Sequence, residues 1–199
     1  MELKEKIFLT TFDLFLKYGV KSVSMDDICR KIGISKKTIY TVIINKKDLV
    51  EKILKLHLQK DEEDIKKITK ASETAIDEMC KIGRHVIKFL RAMKPSLIYD
   101  LQKYYPQAWN MIEDQHYGFI YQTIKANLQR GQKEGLYIPT FNAEIIAKLY
   151  VEKTHCIADE ENFPSTEYSR PQLFEELFMY HMRGISSNKG LMLLRDIEI

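Results

Sequence analysis

The sequence is poor in the residues that interrupt helices. It contains 8 glycines and 5 prolines among 199 residues, roughly half of their share in average proteins, and no proline precedes Pro95. Glycine and proline are the residues least compatible with a helix interior. A chain short of both, and rich in Lys, Glu, Leu and Ile, is therefore predicted to have an all-α fold.

Cysteines and long apolar runs are also scarce. Cys29, Cys80 and Cys156 are odd in number, lie far apart and form no C-x-x-C pair, which argues against a disulfide framework and a cysteine-based zinc site. The longest aliphatic runs, such as 191–194, are far below the roughly 18 residues that span a bilayer. The charged N-terminus lacks the apolar segment of a signal peptide. We therefore expect a cytoplasmic protein with no membrane partner.

An excess of positive charge is found only in the first third of the chain. The net charge is +3, but residues 1–60 hold 13 Lys and Arg against 7 Asp and Glu, whereas residues 61–199 hold 18 against 21. The basic segment predicts contact with a polyanion, although a solvated lysine-rich surface explains the charge equally well. The length allows one domain or two small ones, and we expect a boundary near residue 60.

The basic segment carries the capping signals of short helices. A helical repeat of apolar residues from Leu3 ends at Gly19, and Ser24 precedes two acidic residues, as an N-cap does. The second helix ends at Gly33, and Ser35 begins a third. Two short helices joined through a tight glycine-containing turn are typical of a helix-turn-helix motif, here at about 24–43.

The third helix is predicted to present polar side chains outward. Lysines bind phosphates or guanine edges, and hydroxyls bind phosphates or bases. A helix N-terminus also attracts phosphate. The residues that we expect on this surface are Lys36, Lys37, Thr38, Tyr40 and Thr41. Lys46, which opens the next helix, is placed to contact the DNA backbone.

The residues at these positions resemble a known family. The matching stretches are Tyr18-Gly19-Val20, Ser24-Met25-Asp26-Asp27-Ile28, Ile32-Gly33-Ile34-Ser35-Lys36-Lys37-Thr38-Ile39-Tyr40 and Asn45-Lys46-Lys47-Asp48-Leu49. Over roughly residues 3–60 the chain is similar to the DNA-binding domain of the TetR (tetracycline repressor) family. The resemblance implies a homodimeric repressor that binds a palindromic operator through residues 1–60. It also implies that residues 61–199 form a helical domain that dimerises and senses a small-molecule effector.

The resemblance also suggests roles for single residues. Thr38, Tyr40 and Lys46 match positions that commonly contact DNA, whereas the variable positions filled by Lys36, Lys37 and Thr41 set operator choice. The caps Ser24 and Ser35 complete the predicted DNA-binding set. The chain departs from the family at Val42 and Ile43, where a His or Tyr and then a Phe are usual. We expect Ile43 to fill the core position of the Phe, but Val42 cannot donate a hydrogen bond.

The second domain is rich in aromatic residues. A long helix is expected from about 107 to 133, after a short one near residue 100. The residues that we predict to bind the effector, on the helices that line the ligand cavity in the resembled family, are Tyr99, Trp109, Tyr117 and Tyr121. The alternative is that these rings only form core and dimer contacts.

The last two long helices, at about 142–158 and 171–186, are the predicted homodimer interface. The final helix has a wider apolar face than one core contact needs, which favours a second buried face against a partner. A fully buried central helix is the alternative.

Two Glu-x-x-His pairs, Glu113 with His116 and Glu152 with His155, leave an enzyme as an alternative function. Di-metal carboxylate enzymes built on four-helix bundles use such pairs. The composition makes chance pairs common, and the two helices follow one another directly, whereas the enzyme arrangement needs another between them. No phosphate-binding loop, dinucleotide loop or zincin motif occurs. We therefore expect no enzyme, no metal and no cofactor, and a DNA-binding protein without an effector remains the third possibility.

Overall fold

The computed structural model of the chain describes residues 2–194. Within this range the regular elements are helices, which confirms the all-α class. Their bounds are α1 Leu3–Tyr18, α2 Met25–Ile32, α3 Lys36–Ile39, α4 Lys46–Ala71, α5 Ala75–Ala92, α6 Ser96–Tyr104, α7 Pro106–Gln115, α8 Tyr121–Lys133, α9 Ala143–Cys156, α10 Arg170–Ile185 and α11 Asn188–Leu194. None of the helices in residues 2–194 has the length and hydropathy needed to cross a membrane.

The four caps predicted for the first three helices, Gly19, Ser24, Gly33 and Ser35, are present in the structure. α1 ends at Gly19, which has a φ of 82°, and α2 ends at Gly33 in the left-handed region. Ser24 forms a capping box: its hydroxyl accepts from the backbone N–H of Asp27, whose carboxylate accepts from the backbone N–H of Ser24. Ser35 caps α3, which is a single turn. These local bonds fix the helix-turn-helix because they satisfy backbone groups that a helix end leaves open.

Contacts divide the described chain into two compact units. Unit 1 contains the described residues up to Asp61 together with Ala92–Glu113, and unit 2 contains Glu62–Arg91 with the described residues from Asp114 onward. Helices α4, α5 and α7 therefore each contribute residues to both units. Residues 2–60 of the predicted N-terminal domain lie in unit 1, but nothing in the sequence indicates that Ala92–Glu113 belongs to the same unit.

Unit 1 has a core of isoleucines, leucines and phenylalanines. Ile28, Ile39 and Leu49 are fully buried and tie α2, α3 and the start of α4 together. Leu97 and Leu101 from α6 belong to the same core. The short α3 is thus held mainly by the packing of its one buried side chain, since an isolated helical turn is not stable in water.

Unit 2 is a helical bundle. The helix predicted over about 107–133 is interrupted in the structure. A π-helical turn, His116–Ile120, lies between α7 and α8. The core of the unit is built around Phe178 and Met182 of α10, which are fully buried. A buried polar network adjoins this core: Asn127 donates to the Glu78 carboxylate at 3.0 Å, and the Arg130 guanidinium lies 3.3 Å from the same oxygen.

Candidate nucleic-acid interface

The hydroxyl groups of α3 are arranged along its exposed side and bond one another or the backbone. Ser35 Oγ accepts from the N–H of Thr38 at 3.0 Å and lies 2.8 Å from Thr38 Oγ1. Thr41 Oγ1 donates to the carbonyl of Thr38 at 2.7 Å. These bonds extend the turn beyond Ile39. A hydroxyl can still rotate toward a phosphate, because each of these bonds is solvent-exposed.

The two lysines of α3 are exposed. Lys36 Nζ lies 3.0 Å from Asp26 Oδ1 of α2, and this hydrogen bond raises the pKa of the Lys36 ammonium. An exposed pair of this kind contributes little stability, so a phosphate can replace Asp26 at small cost. Lys37 is exposed on the next position. Both lysines are therefore available to a polyanion.

Lys46 is placed differently from the other predicted DNA contacts. Its Nζ donates to the carbonyl of Val20 at 2.6 Å, and it lies over the ring of Phe15 at 6.0 Å from the centroid. Burial lowers the pKa of this lysine. Lys46 thus connects the start of α4 to the turn between α1 and α2, in addition to any role on DNA.

The chain after α3 alternates sharply between core and surface. Ile43 is 3% exposed and fills a core position, as expected for a replacement of the usual Phe. Ile44 is 79% exposed, and its N–H donates to the Asp48 carboxylate at 2.8 Å. Tyr40 is also exposed. The sequence did not single out Ile44 because a β-branched run does not tell which member faces water.

Residues of α6 contact the turn that precedes α2, and sequence reasoning missed them. The Asp100 carboxylate accepts from the backbone N–H of Lys21 at 2.8 Å, and Lys21 Nζ donates to Tyr104 Oη at 2.8 Å. The partners are 79 and 83 positions apart along the chain. No local pattern in the sequence could have indicated this pairing.

The four residues predicted to bind an effector are divided between the two units. In unit 1, Tyr99 is exposed and accepts from Lys103 Nζ at 2.5 Å. Trp109 is half-buried against the core of unit 1 and donates to Glu113 Oε1 at 3.0 Å. In unit 2, Tyr121 packs against the core. The assignment of these residues to an effector stays a prediction.

Tyr117 lies in the π-helical turn of unit 2 and contacts both members of the second Glu-x-x-His pair. Its hydroxyl donates to Glu152 Oε1 at 3.0 Å, and its ring is stacked on His155 with centroids 5.1 Å apart. The rings of His116 and His155 are 5.0 Å apart. Even so, residues 2–194 contain no group of three or more His, Cys, Asp or Glu side chains that could hold a metal ion.

Comparisons with known proteins agree with this geometry. The family model described as "Bacterial regulatory proteins, tetR family" matches residues 7–53. No curated protein sequence matches the chain significantly. Solved structures do resemble it. A TetR-family transcriptional regulator from Agrobacterium tumefaciens has a TM-score of 0.70 at 18% identity, over 92% of this chain and 97% of that one.

Two further solved structures extend this similarity. A transcriptional regulator from Cytophaga hutchinsonii gives a TM-score of 0.71 at 16% identity, over 92% of this chain and 98% of that one. A putative transcriptional regulator from Saccharomonospora viridis, solved in complex with choline, gives 0.69 at 17% identity, over 93% and 98%. At these identities the likeness establishes the shared fold.

The matched family model describes bacterial regulatory proteins, and the similar solved structures are transcriptional regulators. The match of residues 7–53 to the tetR family model confirms the resemblance seen in the sequence.

Proposed function

We propose that the chain is a ligand-responsive transcriptional repressor that acts in the cytoplasm as a homodimer on a palindromic operator. The observation that carries the proposal is the surface of α3, where a capped helical turn anchored by buried Ile39 presents Lys36 and Lys37 to solvent. A helix N-terminal region with exposed lysines and hydroxyls has the chemistry that reads the major groove and its phosphates.

The salt dependence of binding tests the DNA contact. Each neutralised phosphate contributes about 0.9 to the slope of log affinity against log salt concentration. We expect Lys37→Ala to lower that slope by about 0.9. Lys67→Ala is the matched control, because Lys67 is an exposed lysine of unit 2 paired with Asp64. Lys46 is less suitable, since its removal also breaks the bond to Val20. A wild-type slope near zero would refute DNA binding.

An exposed apolar stripe supports the homodimer. Ile145 and Leu149 are exposed on α9, and their spacing of four residues puts them on one helix face. Lys153, four residues further, lies over the exposed ring of Tyr180 on α10. The stripe therefore continues from α9 to α10. A second copy of the chain can cover it about a two-fold axis, because a self-complementary patch is what such an axis requires.

The dimer proposal is tested by placing a charge in the stripe. Leu149 and Leu9 are both 49% exposed, but Leu9 lies on α1, far along the chain from the stripe. We expect Leu149→Glu to convert the protein to a monomer in sedimentation equilibrium and Leu9→Glu to leave the dimer intact. A Leu149→Glu protein that remains dimeric at micromolar concentration would contradict this interface.

The effector is proposed to be a small molecule that binds unit 2. One solved regulator of the same fold is in complex with choline, and aromatic side chains such as Tyr117 and Tyr121 suit a planar or amphipathic ligand. Helix α4 runs without interruption from Lys46 into unit 2, and an effector that shifts this helix would change the separation of the two DNA-binding surfaces.

The effector proposal is tested by thermal unfolding in a compound library that includes choline. A ligand at 100 times its dissociation constant stabilises a protein by about 2.7 kcal/mol, and the compounds that do so should also release bound DNA. A library in which no compound raises the unfolding temperature would favour the alternative of a DNA-binding protein without an effector.

A further inference from the structure

We propose that Asp100 of α6 is a positioning residue for DNA binding, because its carboxylate fixes the turn that joins α1 to α2. The proposal rests on the DNA-binding function proposed above. It assigns a role to a residue outside the helix-turn-helix, on a segment that begins three helices later in the chain.

The carboxylate of Asp100 is held at the turn by close backbone contact. Asp100 is 5% exposed, and its Oδ2 accepts from the Lys21 N–H at 2.8 Å. Gly19, two residues earlier, has φ 82° and ψ 158°, a region that is essentially open only to glycine. A Cβ at Gly19 would lie 2.8 Å from Ser96 Oγ and 3.0 Å from Asp100 Oδ2. The backbone of the turn therefore lies directly against α6.

The other side-chain bonds between this part of the chain and the end of α1 or the turn are exposed, and one backbone bond accompanies them. The backbone N–H of Lys94 donates to the Leu16 carbonyl at 2.8 Å, and Lys94 Nζ lies 3.4 Å from the Tyr18 carbonyl in an exposed contact. The bond between Lys21 Nζ and Tyr104 is exposed as well. A hydrogen bond to a buried carboxylate contributes more than an exposed bond, because bonds to charged acceptors are the stronger ones and solvent screens this one less. Asp100 is thus the buried group of α6 that holds the turn.

The turn leads directly into groups predicted to bind DNA. Ser24, the N-cap of α2, follows Lys21 by three residues. The carbonyl of Val20, between Gly19 and Lys21, accepts from Lys46 Nζ at 2.6 Å. The turn is consequently held by α6 through Asp100 and by the start of α4 through Lys46. The negative charge of Asp100 also opposes the effect of burial on the pKa of Lys46, which favours the ammonium form.

Release of the Asp100 bond would let the turn move, and with it the start of α2 and the ammonium of Lys46. The contacts that specify sequence need this geometry more than contacts to phosphates do, since phosphate contacts tolerate displacement. Loss of Asp100 should therefore reduce selective binding more than non-selective binding.

The test compares variants on two DNA probes: the duplex that wild-type protein selects most strongly from a random library, and a random-sequence duplex of equal length. We expect Asp100→Ala to bind the selected duplex about tenfold more weakly and the random duplex less than threefold more weakly. Asp100→Asn keeps an acceptor oxygen and should give an intermediate loss. Tyr104→Phe, which removes only the exposed bond to Lys21, should change either affinity by less than twofold.

A control variant separates positioning from general loss of stability. Glu78→Gln alters a buried carboxylate of unit 2, which is 2% exposed. If Glu78→Gln and Asp100→Ala lower the unfolding temperature alike but only Asp100→Ala loses discrimination between the duplexes, the positioning role is supported. If both variants lose discrimination in proportion to stability, the role is overturned.

Hydrogen exchange supplies a readout that does not depend on DNA. The amide of Lys21 should exchange at least tenfold faster in Asp100→Ala than in wild type, while that of Asp27 in the α2 capping box should change less. Unchanged exchange at Lys21 overturns the positioning role even if DNA binds. Accelerated exchange with unchanged discrimination also overturns it, and wild-type protein that binds no duplex overturns both this inference and the proposed function.

Discussion

Gly131 of α8 is a position where one added methyl group should lower the stability of unit 2. A Cβ at this position would lie 2.1 Å from Cδ2 and 2.3 Å from Cε2 of Tyr137. The Tyr137 ring is fully buried, and its Oη lies 2.9 Å from Asn127 Oδ1 and 3.2 Å from the Ala75 carbonyl. Gly131→Ala must therefore displace a ring that is fixed at both ends.

The cost follows from three contributions. Overpacking a core costs about 1–3 kcal/mol, and weakening the buried hydrogen bond of Tyr137 adds about 1 kcal/mol. Alanine favours a helix over glycine by about 1 kcal/mol, which offsets part of the loss. We expect Gly131→Ala to lower the free energy of unfolding by about 2 kcal/mol.

Urea unfolding followed by circular dichroism measures this difference. The protein concentration must be held fixed, because the proposed dimer would make apparent stability depend on it. Gly118→Ala is the matched control: nothing lies within 4 Å of a Cβ at Gly118, so that variant should gain about 0.5–1 kcal/mol. A Gly131→Ala protein as stable as Gly118→Ala would refute the close approach of Gly131 and Tyr137.

Three further predictions concern single sites. Burial, aided by the charge of Lys153, lowers the pKa of His181 from 6.5 to about 4. Stability should therefore fall by about 3 kcal/mol between pH 6.5 and pH 4, and His181→Gln should remove that part of the pH dependence in urea titrations. Ser24→Ala removes the α2 capping box and should cost about 1 kcal/mol in thermal unfolding. Ile43→Ala should cost about 2–5 kcal/mol, whereas Ile44→Ala should stay within about 0.5 kcal/mol of wild type, and equal effects would contradict their opposite burial.

The boundaries of the first three helices could be predicted because their causes are local. The caps at Ser24 and Ser35 bond to groups three residues away. Gly19 and Gly33 adopt backbone angles that other residues rarely adopt. Each of these signals is contained in a few adjacent residues, so the sequence displays it directly. The same holds for the exposed lysines of α3, which follow a cap at fixed spacing.

The association of α6 with the helix-turn-helix could not be predicted, because it depends on contacts between distant residues. Nothing near Lys21 distinguishes its N–H as one that bonds the carboxylate of Asp100, 79 positions later. The π-helical turn is similar: His116–Ile120 continues a helical pattern, and one additional residue in a turn leaves no clear mark on apolar periodicity. The sequence therefore indicated one long helix where the structure has three segments.

Lys46 shows that a match to a family position does not by itself assign a role to a residue, and that the contacts in the structure are needed as well. A lysine at this position can bind DNA, stabilise the fold or do both. The sequence shows the same residue in all three cases. The bond to the Val20 carbonyl uses one of the three protons of the ammonium, and Lys46 as a whole is half-buried. Loss of DNA binding in Lys46→Ala would therefore have two causes that the variant cannot separate. Lys37, exposed on α3, separates them, because its removal takes away charge without breaking a bond to the turn between α1 and α2.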